Sequence, residues 1–223
     1  MLGFQIAVTP PQPPPPLGEQ LASTPFEVVL KQRSGPVIVK FVCWAIALVE
    51  VTVIAASQLP DWPCSRKIIS LLVMNDSADR IHMSPLFILG IFLTLLGASI
   101  RYWCYRELGY MFTFQVSILA DHKLVQTGPY HFARHPGYLG VLLTVAGVFC
   151  WNACPGSWLR ECGALHTAAG MSVVISCSAL VICITAGLLL RISKEDEALQ
   201  QHFGEDWVHW SMQVPYKLIP GLF

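Results

Sequence analysis

The sequence predicts an all-α, polytopic membrane helix bundle, about four to five transmembrane helices with a water-facing C-terminal region, and three observations carry that prediction. Of 223 residues, 54% are hydrophobic and 13% charged, with a mean hydropathy of +0.54, whereas soluble domains carry about 25% charged residues. Four stretches approach the roughly 20 apolar residues that cross a hydrocarbon core: Phe41–Leu59, Pro85–Cys104, Tyr138–Trp151 with its flanks, and Ala168–Leu190. Basic residues gather on one side of them: Lys31, Arg33 and Lys40 before the first, Arg101, Arg106, Lys123 and Arg134 after the second, Arg191 and Lys194 after the fourth. The positive-inside rule then puts both termini and the segment His122–Gly140 in the cytosol, against the vote of Arg66, Lys67 and Arg80. Fourteen Lys plus Arg balance fourteen Asp plus Glu, and the absence of a basic run excludes nucleic acid as a partner.

Three regions follow in order: 1–24 as a disordered Pro-rich arm, 25–105 as the N-terminal transmembrane helices, and 106–223 as a C-terminal region with the last transmembrane hairpin and a cytosolic tail. The run Thr9–Pro16, TPPQPPPP, is polyproline-type chain that builds no core. A surface helix is expected to end near Arg33. The N-terminus lacks the basic start and small-residue cleavage site of a signal peptide, so the spans are expected to be the anchor. Glu50 falls inside the first span, where a carboxylate faces a cavity or a partner; a functional role and an internally bonded, helix-steering role both stand. A polar loop, Pro60–Ser84, precedes the second span. Gly90 and Gly97 in that span, and Gly140 and Gly147 in the third, recur seven apart, which puts each pair on one helix face and permits close backbone approach. A short turn should join spans three and four. Of eight cysteines, Cys43, Cys104, Cys150, Cys177 and Cys183 lie in or beside spans and read as packing, while Cys154 and Cys162 flank a Pro-Gly turn and either pair or do not.

The polar segment HKLVQTGPYHFARHPGYLG, His122–Gly140, holds three of the seven histidines. Pro136 fits the first turn of a helix and drives the preceding residue out of helical conformation, so the third span starts at Pro136 with His135 outside it. The first amides of that helix, from Gly137, Tyr138 and Leu139, are then expected to be free, an anion site flanked by Arg134 and His135. Thr127–Tyr130 reads as a chain-reversing turn that brings Tyr130 toward Tyr138 and His135. Two such rings either enclose a planar heterocycle or sit in the interfacial aromatic belt. In the tail, RISKEDEALQQHFGEDWVHW, Arg191 and Glu195 are four apart on one helical face, which by periodicity alone is an exposed ion pair.

These two segments, followed by a Val-Pro at Val214–Pro215, resemble the isoprenylcysteine carboxyl methyltransferase family: H-x-L-V-x-x-G-x-Y, then R-H-P-x-Y-x-G, then R-x-x-x-E-E-x-x-L-x-x-x-F-G. The resemblance covers about Gln115–Pro215. It implies a cytosolic C-terminal cofactor-binding region in an endoplasmic-reticulum membrane enzyme that moves a methyl group from S-adenosylmethionine to the C-terminal carboxylate of a prenylated cysteine, with no metal. Its partners would be prenylated CaaX proteins and the lipid bilayer. Carried over by position, the cofactor would meet Gln115, the run His122, Lys123, Leu124 and Val125, then Tyr130, the run His135, Pro136, Gly137 and Tyr138, and Glu195. Arg191 would contact the substrate. Departures are Asp196 at the second glutamate of the pair, and Trp207 and Trp210 where tyrosines are usual.

A carboxylate with an ordinary pKa near about 3.5 is ionised at neutral pH, so its attack on a sulfonium methyl requires alignment and desolvation rather than a general base. Arg191 suits that carboxylate. The alternative is a membrane phospholipid or amine N-methyltransferase using the same donor. A nicotinamide-dependent membrane reductase is disfavoured because the chain contains no G-x-G.

Overall fold

The computed structural model describes residues 1–9, 11–13, 34–74, 78–113 and 121–222. Among these described residues all regular structure is helical: α1 (Leu2–Val8), α2 (Ser34–Gln58), α3 (Ser65–Leu72), α4 (Pro85–Leu108), α5 (Pro136–Ala153), the single turn α6 (Trp158–Glu161), α7 (Ala168–Phe203) and α8 (Glu205–Gln213). Short 3-10 turns lie at Ala78–Arg80, Gly109–Met111, Gly128–His131 and Ala164–His166. Four helices among the described residues, starting at Ser34, Pro85, Pro136 and Ala168, are long and apolar enough to cross a membrane. Their outer faces are apolar, with Val51, Phe92, Ile175 and Ile182 each at least 60% exposed, a surface that only lipid satisfies.

The chain divides into two compact units. The first comprises Met1, Pro36–Thr94 and Val145–Ile182. In it Gly90 and Gly147 meet so closely that a Cβ on Gly90 would lie 2.8 Å from the Gly147 carbonyl oxygen, the close approach expected from the glycine spacing. Glu50 accepts a hydrogen bond from the Trp158 amide at 3.2 Å, so it supplies an acceptor to the first turn of α6, where helical amides have no partner of their own. The Trp158 indole donates to Leu72 O at 2.9 Å. The bond from the Trp158 amide fits the internally bonded, helix-steering reading of Glu50.

Several expectations are corrected in this unit. The segment between α5 and α7 is no short turn: residues 154–167 fold into α6 and a 3-10 turn, tied down by Met74 N–H to Cys162 O at 2.9 Å and His82 N–H to Gly156 O at 3.2 Å. Those bonds reach back to the Pro60–Ser84 loop, which itself carries α3 because SRKIISLL puts Ile68, Ile69 and Leu72 on one helical face and Arg66, Lys67 and Ser70 on the other. Cys154 and Cys162 are both fully buried free thiols, not a disulfide. Among the described residues the first span reaches back to Ser34, seven residues before Phe41.

The second unit comprises Leu2–Gly35, Leu95–Thr144 and Cys183–Phe223. The expected disordered arm is corrected at its start: residues 2–8 form α1, which buries Phe4 and Ala7 and offers the carbonyls of Ile6 and Ala7 to the Tyr105 hydroxyl at 3.3 Å each. Burying a phenyl ring orders a stretch that composition alone leaves loose. The remainder of the arm from Pro14, and the expected helix to Arg33, lie outside the described residues. Gly97 and Gly140 repeat the close approach, a Cβ on Gly97 falling 2.5 Å from Gly140 O. α7 runs unbroken for 36 residues, about 54 Å at 1.5 Å per residue, against a hydrocarbon core of about 30 Å. It therefore carries Arg191 and its neighbours beyond the lipid, as the tail reading anticipates. Gly204, at φ +56°, ends it, a left-handed residue that glycine adopts without steric cost.

Candidate functional site

The site lies wholly within the second unit. Pro136 opens α5, leaving the amides of Arg134 and His135 outside any helix. They donate instead to the C-terminal tail: Arg134 N–H to Tyr216 O at 3.0 Å and His135 N–H to Lys217 O at 2.8 Å. The Tyr138 amide turns back on His135 O at 3.1 Å, so the expectation that it stands free for an anion is corrected: the 3-10-like entry to α5 consumes it. The Gly137 carbonyl accepts from Arg101 Nη1 at 3.0 Å.

From the far end of α7 come Arg191, Glu195 and Asp196. Arg191 donates to the Tyr138 hydroxyl oxygen from Nε at 3.0 Å and Nη2 at 2.8 Å, and that hydroxyl donates to Glu195 Oε2 at 2.6 Å. One phenol oxygen thus accepts two guanidinium N–H hydrogen bonds and donates its own O–H to a carboxylate. The His135 ring centroid lies 5.7 Å from that of Tyr138. Asp196, one residue on, accepts from His135 Nε2 at 2.8 Å and pairs with Arg134 Nη1 at 3.3 Å. Arg191, His135 and Asp196 are 8%, 5% and 7% exposed. The expected exposed pair of Arg191 with Glu195 is corrected accordingly: both converge on Tyr138, in a place where charge-assisted bonds are little screened.

The run His122–Val125 lies in chain without regular secondary structure. His122, Lys123 and Leu124 form one side of a cleft of about 470 Å³, opposite Asp206, His209, Trp210 and Gln213 of α8. His122 Nδ1 is buried without a hydrogen-bond partner among the described residues. Burial pushes the His122 pKa below the ordinary histidine value, His202 adds to the depression, and Glu195 opposes it. The turn at Gly128–His131 (Gly128 φ +59°) delivers Tyr130 into an apolar cluster of Cys104, Trp207, Trp210 and Val214, against which Leu124 and Val125 pack. Burial raises the Tyr130 hydroxyl pKa well above its usual range. The two tyrosines thus differ in surroundings, Tyr138 among charges and Tyr130 among apolar side chains. Gln115 lies outside the described residues.

Three features exceeded the sequence reading. Asp196, noted there as a departure, holds both Arg134 and His135; the signal was that a histidine buried at a helix start needs a polar partner. Trp207 and Trp210, noted there only as departures from the family pattern, are core residues at 8% and 3% exposure, with the Arg134 guanidinium 5.5 Å from the Trp207 ring. The pairing of residues 134–135 with 216–217 leaves no mark in composition or spacing.

The isoprenylcysteine carboxyl methyltransferase family matches residues 88–154, which include α4 from Ile88 onward, the segment His122–Gly140 and α5. This family match covers the part of the site before α6 and ends ahead of Arg191, Glu195 and Asp196. Protein-S-isoprenylcysteine O-methyltransferase B of Arabidopsis thaliana is 28% identical over 128 residues, 56% of this chain and 55% of that protein. The Delta(14)-sterol reductase of Mus musculus is 26% identical over 101 residues, 45% of this chain and 20% of that protein. The chain spans about half the length of the plant relative and a fifth of the mouse one. Residues 88–154 are thus similar to the isoprenylcysteine carboxyl methyltransferase family, and 128 residues are similar to the plant protein of that name.

Proposed function

We propose that this chain is a membrane methyltransferase that transfers the methyl group of S-adenosylmethionine to the C-terminal α-carboxylate of prenylated cysteine in CaaX-processed proteins, at the endoplasmic reticulum with its site facing the cytosol. The observation that carries the reading is the buried Arg191–Tyr138–Glu195 cluster beside His135, which offers a guanidinium to a carboxylate away from bulk water. The family match and the plant relative's name support it.

The residues fit the donor. A cleft of about 470 Å³ is within the roughly 300–1,000 Å³ of small-molecule sites, and the orphaned Nδ1 of His122 needs a polar partner there. His122, Lys123 and Leu124 line that cleft and would hold the donor there, while His135 and Glu195, outside its lining, would be further polar contacts. When bound, it supplies an electrophilic methyl on a sulfonium. Arg191 orients the substrate carboxylate by exchanging one of its bonds to Tyr138 for a carboxylate oxygen, leaving the other oxygen to attack. Tyr138 keeps the guanidinium aimed while Glu195 keeps the phenol aimed. No side chain need take a proton, because the nucleophile arrives ionised. The apolar outer faces of the spans suit the prenyl chain, which reaches the site from lipid.

Labelled-methyl transfer from S-adenosylmethionine to N-acetyl-S-farnesylcysteine tests the reading: base-labile product that disappears in Arg191→Ala and Glu195→Ala supports it. Base-stable product would favour the amine N-methyltransferase. Likeness to the sterol reductase favours a second reading, reduction of a sterol double bond, which consumption of a reduced nicotinamide with sterol and no methyl transfer would establish.

A further inference from the structure

Two consecutive carboxylates on α7 divide the two sides of the α5 entrance between them: Glu195 binds Tyr138, just inside the helix, and Asp196 binds His135, just outside it. Successive residues on a helix point about 100° apart, so one turn of α7 grips the junction at two places. We propose that Asp196 is a positioning residue, which fixes the His135 ring and its loop so that the donor is received in a preformed pocket. The inference rests on the methyl-transfer reading above.

The chemistry is specific. A carboxylate only accepts, so the bond at 2.8 Å makes Nε2 the protonated nitrogen of His135, and in the neutral ring Nδ1 is then the acceptor. The second oxygen of Asp196 holds Arg134 at 3.3 Å, and Arg134 in turn donates from Nη2 to Pro215 O at 3.3 Å while lying over Trp207. Asp196 therefore fixes the tautomer and orientation of the ring from one side, and through Arg134 steadies the tail that binds the His135 amide from the other. Its side chain is 10% exposed, so water is a poor substitute for either bond. Losing the carboxylate frees the ring without removing Arg191, Tyr138 or Glu195. The expected signature is a defect in donor recognition rather than in handling of the prenylcysteine.

Asp196→Asn keeps the shape and loses the charge; Asp196→Glu restores a carboxylate, the residue of the family pattern. With the full chain in detergent, steady-state transfer to N-acetyl-S-farnesylcysteine should show Asp196→Asn raising KM for S-adenosylmethionine about tenfold, the scale of one charge-assisted hydrogen bond, with KM for the farnesylcysteine within about twofold. Asp196→Glu should recover most of the loss. His135→Ala and the double variant His135→Ala/Asp196→Asn should have equal KM for the donor, because Asp196 acts through that ring. A merely structural aspartate would instead change both KM values or kcat together and add its defect to that of His135→Ala, and either result overturns the proposal. If Asp196→Asn does not fold, an Asp196→Ser variant with an unaltered melting temperature and a donor KM raised at least fivefold supports it, and one indistinguishable from wild type overturns it. A wild type that transfers no methyl sinks the reading itself; transfer by the wild type with no change in Asp196→Asn sinks this proposal alone.

Discussion

The two units use their polar groups differently. In the first, side chains bond to backbone: Glu50 to the Trp158 amide, the Trp158 indole to Leu72 O, and Ser65 Oγ to Leu59 O. In the second, side chains bond to one another: Arg191 and Glu195 through Tyr138, and Asp196 to His135 and Arg134. Side chain to side chain bonds are only about 10–15% of a folded protein's hydrogen bonds, and burying charged ones is costly unless the geometry is good. A cluster of them in one unit marks where the chain keeps polar groups for something other than its own folding. The glycine approaches serve as a control, since both units contain one and it distinguishes neither.

That contrast can be broken most forcefully at Arg191. Arg191→Ala should lower kcat/KM for farnesylcysteine by about 100-fold or more, the scale of losing an oriented charge donor in a buried site, whereas Glu50→Gln, which keeps an acceptor for Trp158, should stay within about twofold; similar losses in both would erase the distinction. The glycines come next. Gly90→Leu and Gly97→Leu force a Cβ to within 2.8 and 2.5 Å of a facing carbonyl oxygen, and each should cost about 1–3 kcal/mol of stability, read as a lower melting temperature in detergent; a stabilised Gly97→Leu would contradict the packing. Tyr138→Phe removes the oxygen on which Arg191 and Glu195 meet and should reduce kcat about tenfold with little change in melting, in contrast to the glycine variants. The smallest effect concerns pH. His122 has its pKa lowered by burial in the folded chain, so the unfolded chain binds the proton first as pH falls below the ordinary histidine value of about 6.5. Stability should decline from there down to the depressed folded value, and His122→Gln should flatten that slope in a melting series from pH 7.5 to 5, without altering stability at pH 7.5.

The four crossings were legible because apolar length is a property of each segment alone, and Pro136 marked the start of α5 because its ring admits few alternatives. The glycine spacing foretold a close approach through its helical period. Helix α1 was not legible: a proline-rich neighbourhood hid a seven-residue helix whose order comes from burying Phe4. Nor was the polar segment joining α5 to α7, whose fold depends on bonds to residues 74 and 82. In the site, Arg191, Glu195, His135 and Tyr138 were identified by the family pattern, not by periodicity, which assigns Arg191 and Glu195 to solvent. Their meeting place, a hydroxyl 53 residues before Arg191, is a tertiary fact. Asp196 and the tryptophans looked like tolerated departures because a pattern records identity and not what a side chain touches.

The amides of Arg134 and His135 find their partners in Tyr216 and Lys217, more than 80 positions further along. On a ribosome adding about 5–20 residues per second, Arg134 and His135 therefore wait several seconds for their mates. Until then the entrance to α5 lacks the two carbonyls that hold it, and a chaperone gripping the nascent tail would delay completion of the cluster without touching Arg191, Tyr138 or Glu195.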